Sequence, residues 1–267
     1  MSFLISGKTV IVTGAANGVG LAIGRHFVDQ GANVVFADMD EKTLCHEMGE
    51  AAEKEENVRI FAGDLRKKLT IKNLLSATID AFERVDILVN ASRQVMKTDP
   101  LDPDDTSVEE LWQQNTMTAL RVSQAVARKM IKQAGDDPTG PVGSIVNISS
   151  IAARRTHPDL LAYSVSSAAL EQMTRSLAVA FAPSGIRVNA VAFGSVMSAS
   201  LKGSLRDSDE DREAIVDSTP LHRLASPSEV SDAVQHLAPD ASSFVTGQII
   251  TVDGGRTLLD PAAVSCH

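Results

Sequence analysis

A glycine-rich segment near the N terminus has the residue types of a phosphate-binding loop. The segment runs Thr13-Gly14-Ala15-Ala16-Asn17-Gly18-Val19-Gly20. It follows a short apolar run and leads into a stretch of helical periodicity over residues 21–30. Glycines at a strand-to-helix turn let the backbone approach a pyrophosphate without Cβ clashes, and the free N–H groups at the helix start attract the anion. The pattern therefore predicts a dinucleotide site.

An acidic residue, Asp38, ends the second β-branched run, where it can face the same site. A carboxylate there can accept hydrogen bonds from both hydroxyls of an adenosine ribose, and it repels a 2′-phosphate. The sequence therefore predicts NAD as the cofactor and disfavours NADP. The alternative, that the glycines serve only a tight turn, accounts for less of the pattern because strand, helix and carboxylate occur together.

Tyr163 is the only tyrosine of the chain and the best candidate to handle a proton. Hydride transfer between nicotinamide and an alcohol or carbonyl carbon needs a group that exchanges the proton on the oxygen. An unperturbed phenol titrates at about pH 10, so at neutral pH it donates a proton well but rarely removes one. Without help, a tyrosine therefore suits reduction better than oxidation.

Short apolar runs alternate along the chain with longer stretches of helical periodicity. The predicted strands are residues 9–13, 33–37, 58–61, 87–90, 144–148, 187–191 and 248–252. Most of these runs are nearly continuous, as expected for strands covered on both faces, and the spacers are long enough for crossover helices. The predicted fold class is α/β, a doubly wound, mainly parallel sheet with helices on both faces.

No repeat, low-complexity tract or linker divides the chain, so we expect one domain over residues 1–267. Residues 195–220, between the sixth strand and the next helix, are too polar and too long for a tight connection. In such folds ligands bind beyond the carboxyl ends of the strands, so this irregular segment is a candidate substrate lid.

The charge balance and the cysteine content exclude several function classes. The chain has 25 Lys and Arg against 34 Asp and Glu, a formal charge of −9, and it lacks the basic stretches of nucleic-acid binders. No apolar run is long enough to span a bilayer, so no membrane partner is expected. Cys45 and Cys266 cannot build a disulfide framework, which fits a cytoplasmic location. The histidines show no metal-ligand spacing, so no metal site is expected.

These motifs together resemble the short-chain dehydrogenase/reductase family over nearly the whole chain. The matching segments, in order, are residues 13–20, 63–65, 85–90, 143–150, 163–177, 182–191, 220–223, 245–248 and 252–255. The resemblance implies a seven-stranded Rossmann sheet, a nicotinamide cofactor and a small-molecule substrate. It also implies a homotetramer or dimer, built through the two long helices around Asn115 and Tyr163.

The resemblance assigns roles to individual residues. Tyr163 matches the catalytic tyrosine, Ser150 the serine that orients the substrate, and Asn115, in a helix predicted over residues 108–132, the asparagine of the proton relay. The expected cofactor-binding residues are Gly14, Asn17, Gly18, Val19, Gly20, Asp38, Met39, Asp64, Leu65, Asn90, Ala91, Ser92, Tyr163, Val196 and Ser198.

Some of these cofactor contacts are specific. Asp64 would hydrogen-bond the adenine and Leu65 would flank it, while Asn90 and its neighbours would line the adenosine ribose. Val196 would reach the nicotinamide carboxamide through its backbone. Ser198 stands where the family usually has threonine.

The chain departs from the family pattern in three motifs around the candidate catalytic residues. The family has a lysine four residues after its tyrosine, where the cation favours the phenolate, but this chain has Ser167. Arg93 replaces the glycine of Asn-Asn-Ala-Gly after the fourth strand, and Phe193 replaces the proline of Pro-Gly after the sixth. Arg93 either partly replaces the lysine's charge, near the pyrophosphate or the nicotinamide ribose, or points to solvent in a site that has lost activity.

Two functions are compatible with these features. The first is an NAD-dependent oxidoreductase acting on a hydroxyl or carbonyl compound, slow because the lysine is absent and more impaired in oxidation than in reduction. The second is a catalytically silent NAD-binding module that acts as a sensor or as a partner in an oligomer. The presence of Ser150, Tyr163 and Asn115 favours the oxidoreductase. The absence of the lysine from the proton relay is the feature expected of the silent NAD-binding module.

Overall fold

Seven parallel strands form one sheet in the computed structural model, which describes residues 3–136, 140–194, 196–197 and 209–260. Their order in the sheet is β3-β2-β1-β4-β5-β6-β7. The order reverses between β1 and β4, the kind of switch point where ligands bind in open α/β sheets. The strands are β1 (Thr9–Thr13), β2 (Asn33–Asp38), β3 (Val58–Ala62), β4 (Ile87–Asn90), β5 (Gly143–Ser150), β6 (Ile186–Phe193) and β7 (Ile249–Val252).

Helices connect the strands as crossovers. They are α1 (Gly18–Asp29), α2 (Glu41–Lys54), α3 (Lys68–Phe82), α4 (Ser107–Leu111), α5 (Thr118–Ala134), α6 (Leu161–Phe181), α7 (Asp209–Asp217) and α8 (Pro227–Leu237). None of the described helices is both long enough and apolar enough to cross a bilayer.

The core lies on both faces of the sheet because alternate strand residues point to opposite sides. Val10 and Val12 of β1 pack with Phe27 of α1 on one face. Ile11, between them in sequence, packs with Met130 of α5 on the other face. The structure thus confirms the doubly wound sheet predicted from the apolar runs.

Strands β5 and β6 extend further toward their carboxyl ends than the sequence predicts. The apolar pattern ends at Ile148, but the ladder continues and pairs Ser149 with Ala192 and Ser150 with Phe193. The apolar pattern does not predict Ser149 and Ser150 as part of the strand, because their hydroxyls interrupt the apolar run. Both serines are nevertheless buried. This extension places Ser150 and Phe193 side by side at the edge where ligands bind.

The helix predicted over residues 108–132 is interrupted by a π-helical segment, Trp112–Met117, between α4 and α5. A π-helical turn bonds residue i to i+5 and often marks a functional site. The wide turn lets the Thr118 hydroxyl donate to the carbonyl of Gln113 at 2.9 Å. Asn115 lies within this segment and is buried.

The segment over residues 195–220, expected to be irregular, contains the helix α7 (Asp209–Asp217). Its length and polarity suggested an irregular segment, but charged residues are acceptable on an exposed helix. Residues 195 and 198–208 lie outside the described residues, and with them the centre of the predicted lid.

Arg187, on β6, binds the carboxyl end of α8. Its guanidinium donates to the carbonyls of Leu237 at 2.7 Å, Ala238 at 3.0 Å and Pro239 at 3.0 Å. The last carbonyls of a helix have no partner within it, so they need an outside donor. Burial lowers the pKa of Arg187 below its usual value, but a guanidinium remains charged at neutral pH.

Removing this guanidinium should destabilise the fold. Arg187→Met leaves several buried carbonyls without a donor, and we expect it to lower the free energy of unfolding by about 2–4 kcal/mol. Arg128→Met, at an exposed position of α5, is the matched control and should change it by less than about 0.5 kcal/mol. Urea denaturation measures both. Equal midpoints for the two variants would contradict this role of Arg187.

Candidate active site

A cleft of about 520 Å³ opens at the carboxyl edge of the sheet, at the switch point between β1 and β4. The structure brings most of the predicted cofactor-binding residues together there, although they come from three separate loops. The cleft is lined by Gly14, Asn17, Gly18, Val19 and Gly20 after β1, Asp38 and Met39 after β2, and Ala91, Ser92 and Arg93 after β4.

The glycine-rich loop has the geometry of a phosphate cradle. Gly14 and Gly18 have φ of +66° and +57°, a region that favours glycine. A Cβ on Gly14 would lie 2.5 Å from the Cα of Ser92, and one on Gly20 would lie 2.1 Å from the Gly14 oxygen. Asn17 precedes α1 without a side-chain capping bond, so the first N–H groups of α1 remain available to an anion. These features fit the diphosphate of a dinucleotide.

Asp38 is held in one orientation at the end of β2. One of its carboxylate oxygens accepts the N–H of Ala16 at 3.0 Å, and the other accepts the N–H of Asp40 at 3.0 Å. Each carboxylate oxygen can accept a second hydrogen bond. Asp38 lines the cleft, so it can accept ribose hydroxyls with its free lone pairs.

Asp64, the residue expected to bind the adenine, is paired with an arginine. Arg66 donates from Nε to Oδ1 of Asp64 at 2.9 Å and from Nη2 to Oδ2 at 3.0 Å. This pair holds the pKa of Asp64 below its usual value. Asp64 and Leu65 line a small extension of the cleft. Because Arg66 engages both oxygens of Asp64, an adenine bound here would meet an ion pair rather than a free carboxylate.

The loop after β4 is tied directly to β1. The hydroxyl oxygen of Thr13 accepts the N–H groups of Ala91 and Ser92, both at 3.2 Å. Asn90 faces inward and donates to Ser123 Oγ at 2.9 Å and to Asn147 Oδ1 at 2.8 Å. Ala91 and Ser92 therefore line the cleft as predicted, whereas Asn90 lines a small chamber beneath it.

That small chamber, which we call the inner chamber, is lined by two of the candidate catalytic residues, Asn115 and Tyr163. Tyr163 lies in the first turn of α6 and is 6% exposed. The inner chamber is lined by Asn90, Ser92, Arg93, Asn115, Ala119, Ile148, Ser149, Tyr163, Ser166, Ser167 and Leu170. Ser92 and Arg93 line both the cleft and the inner chamber, so the two spaces share one wall.

Arg93 points into the site and not to solvent. Its Nη1 donates to the hydroxyl oxygen of Tyr163 at 2.6 Å. Its guanidinium carbon lies 4.2 Å from the centroid of the Phe193 ring. The sequence left the direction of this side chain open between the cofactor and solvent, and the structure places it on the phenol.

Asn115 is fixed to the loop after β4. Its Oδ1 accepts the N–H of Gln94 at 2.8 Å, and its Nδ2 donates to the carbonyl of Gln94 at 2.9 Å. Nδ2 also lies 3.2 Å from the hydroxyl oxygen of Ser166, to which it donates. Asn115 therefore joins the π-helical segment, α6 and the loop that carries Arg93.

Two of the other predicted residues do not line the cleft or the inner chamber. Ser150 ends β5, and its hydroxyl oxygen accepts the N–H of Ala152 at 3.1 Å. Val196 is buried and bridges to Ala225. Ser198 lies outside the described residues. The described residues contain no group of three potential metal ligands.

Two residues of the site were not predicted. Arg66 directly follows the Gly63-Asp64-Leu65 motif, and a basic residue beside a motif carboxylate was the available signal. Gln114 lines the cleft, and its Nε2 donates to the hydroxyl oxygen of Ser92 at 3.0 Å. Its direction depends on the π-helical segment, which periodicity does not show.

A methyl group in the cradle should disrupt dinucleotide binding. In Gly20→Ala the new Cβ meets the Gly14 oxygen, and the loop must shift at a cost of about 1–3 kcal/mol. We expect NADH binding, followed by fluorescence, to weaken about tenfold or more. Gly49→Ala is the control, because its Cβ meets nothing closer than 3.9 Å and alanine favours a helix. Equal affinity in both variants would contradict the cradle.

Comparisons with known proteins agree with this geometry. A short-chain dehydrogenase family model described as enoyl-(acyl carrier protein) reductase matches residues 14–257. The oxidoreductase UcpA of Salmonella typhimurium is 32% identical over 97% of this chain and 98% of its own length. The 3-oxoacyl-[acyl-carrier-protein] reductase FabG of Thermotoga maritima is 32% identical over 95% of this chain and 99% of its own.

A solved structure shows the same fold with ligands present. It is a 7α-hydroxysteroid dehydrogenase complexed with NADH and 7-oxo glycochenodeoxycholic acid, with a TM-score of 0.86 and 29% identity over 95% of each chain. The sequence match spans nearly the full length, and the cradle lies at the switch point of a matching sheet. The chain therefore belongs to the short-chain dehydrogenase/reductase family, as its motifs indicated.

Proposed function

We propose that the protein is an NAD-dependent oxidoreductase that acts on the hydroxyl or carbonyl group of a small molecule. One observation carries this proposal: the dinucleotide cleft and the inner chamber with Tyr163 share the wall formed by Ser92 and Arg93. A cofactor held in the cleft would thus extend to the phenol of Tyr163. When bound, the nicotinamide supplies or accepts the hydride.

The residues that would hold the cofactor divide into two groups. The glycine-rich loop and the start of α1 would hold the diphosphate through backbone N–H groups. Asp38 would accept the hydroxyls of the adenosine ribose, and its charge favours NAD over NADP. The relative solved with NADH supports a nicotinamide dinucleotide in this fold.

The proton chemistry falls to Tyr163 and Ser150. Tyr163 would give its hydroxyl proton to a carbonyl oxygen in reduction and take a proton from an alcohol in oxidation. The Ser150 oxygen accepts the N–H of Ala152, which leaves its O–H free to donate to the substrate oxygen. Asn115 would hold the loop after β4 in place through Gln94.

The relatives support the class of substrate. Their names describe reduction of an oxoacyl group on a carrier protein and oxidation of a hydroxysteroid. Both reactions interconvert a hydroxyl and a carbonyl group. We therefore propose a hydroxyl or carbonyl compound as the substrate of this protein.

Removal of the phenol hydroxyl should separate binding from catalysis. We expect Tyr163→Phe still to bind NADH but to reduce carbonyl compounds at least about 100-fold more slowly, because the proton donor is gone. NADH fluorescence measures binding, and NADH consumption across a panel of ketones and aldehydes measures turnover. A wild type that binds NADH and reduces none of the panel would favour the silent NAD-binding module instead.

The carboxylate of Asp38 should determine the choice of dinucleotide. Asp38→Ala removes the charge that repels a 2′-phosphate, and we expect the preference for NAD over NADP to fall by roughly tenfold. Asp40→Ala is the matched control, since Asp40 caps α2 and should not alter the preference. Fluorescence titration with both reduced dinucleotides measures the ratio. An unchanged ratio in Asp38→Ala would contradict this role.

A further inference from the structure

The serine at position 167 leaves α6 without a cation near Tyr163. Ser167 lies one helical turn after Tyr163, and both residues line the inner chamber. A hydroxyl carries no charge, so it stabilises a phenolate far less than an ammonium would. Arg175, the one basic residue of α6, lies about three turns further along and faces Glu171.

Arg93 brings a full positive charge to the phenol instead. Its Nη1 lies 2.6 Å from the Tyr163 hydroxyl oxygen. None of the ion pairs among the described residues involves Arg93, so no carboxylate in that part of the chain is paired with it. The phenol oxygen accepts the guanidinium N–H, and its own O–H remains free to donate to a substrate.

Phe193 fixes the guanidinium at this position. The Arg93 guanidinium carbon lies 4.2 Å from the ring centroid, within the range of a cation–π contact. Phe193 is itself fixed by its pairing with Ser150 at the ends of β5 and β6. A guanidinium can stack on a ring and donate from its edge at the same time, which an ammonium cannot do as well.

The backbone around Arg93 is held from both sides. Asn115 makes two hydrogen bonds to the peptide groups of Gln94, the next residue. Thr13 accepts the N–H of Ser92, the residue before. Arg93 therefore extends from a fixed backbone, so its contact with the phenol is built into the fold.

The departures at positions 93, 167 and 193 thus form one arrangement. Arg93 and Ser167 line the same inner chamber, and Phe193 lies under the Arg93 guanidinium. The short serine side chain leaves the space beside the phenol to the guanidinium. The changes together transfer the positive charge from the helix to the loop after β4.

We infer that Arg93 is a catalytic residue, which supplies the positive charge that the Tyr163 oxygen needs during proton transfer. This assignment rests on the proposed function. In reduction the Tyr163 O–H bond breaks, the substrate oxygen takes the proton as its carbon takes the hydride, and the phenolate left behind faces Arg93. In oxidation the phenolate takes the hydroxyl proton while the carbon loses its hydride to the oxidised nicotinamide.

Arg93 stabilises charge in this scheme but does not relay protons. A guanidinium keeps its protons at every working pH. Arg93 therefore cannot return the proton that Tyr163 gives up.

The first test needs no cofactor. Tyr163 is the only tyrosine, so the near-ultraviolet tyrosinate band reports this residue alone. At a given alkaline pH we expect less tyrosinate in Arg93→Met than in wild type, because the variant lacks the guanidinium that donates to the phenol oxygen. Arg93→Lys should restore part of the difference, and Arg128→Met should titrate like wild type. Circular dichroism confirms that each variant remains folded. Identical curves for wild type and Arg93→Met would overturn the inference.

The second test compares turnover in wild type, Arg93→Gly, Ser167→Lys and the double variant. We expect Arg93→Gly to lose about 100-fold in carbonyl reduction. The double variant should recover at least about tenfold, because the lysine returns a cation to the inner chamber. The loss in alcohol oxidation should shrink as the pH rises, since the phenolate then forms without help.

The outcomes separate the inference from the proposed function. Unchanged or faster turnover in Arg93→Gly, with tighter NADH binding, would show that the guanidinium obstructs the site. That result would overturn the inference about Arg93, whereas an active wild type would still support the proposed function. If wild type binds NADH but turns nothing over, the proposed function fails. The catalytic role of Arg93 fails with it, even where the tyrosinate titration still shows the contact with Tyr163.

Discussion

The close contact between the loops after β1 and β4 determines the geometry of the site. Gly14 lies so near the backbone of Ser92 that a Cβ would be only 2.5 Å from the Ser92 Cα. The Thr13 hydroxyl closes the same junction by accepting two N–H groups of the second loop. A dinucleotide cradle and the loop that carries Arg93 are therefore one packed unit. Any change that separates the two loops disturbs binding and proton chemistry together.

The second loop also connects to the helices that carry the other site residues. Asn115 and Gln114, from the π-helical segment, hold Gln94 and Ser92. Thr116, next in sequence, donates to the carbonyl of Ser166 on α6 at 3.1 Å. The π-helical turn therefore directs consecutive side chains toward both the loop and α6. This explains how Tyr163 on α6 and Arg93 on the loop keep a fixed separation.

The parts of the site that follow from local pattern could be predicted from the sequence. Strands β1 and β4 have the bounds that were predicted, because strands covered on both faces form nearly continuous apolar runs. The cradle was predictable because its glycines are required by backbone geometry. The direction of the Arg93 side chain could not be predicted, because it depends on contact with Phe193. Phe193 is distant in sequence and lies next to Arg93 only in the folded protein. The π-helical segment was also missed, because its residues have the same periodicity as an α-helix.

A crystal structure of the protein with NAD and a non-reactive substrate analogue would show whether the cleft and the phenol form one site. We expect the diphosphate at the N–H groups of Val19 and its neighbours, the adenosine ribose on Asp38, and the nicotinamide ring beside Tyr163 with Arg93 still bound to the phenol. A cleft without dinucleotide, or an Arg93 side chain lying where the nicotinamide should be, would contradict this expectation.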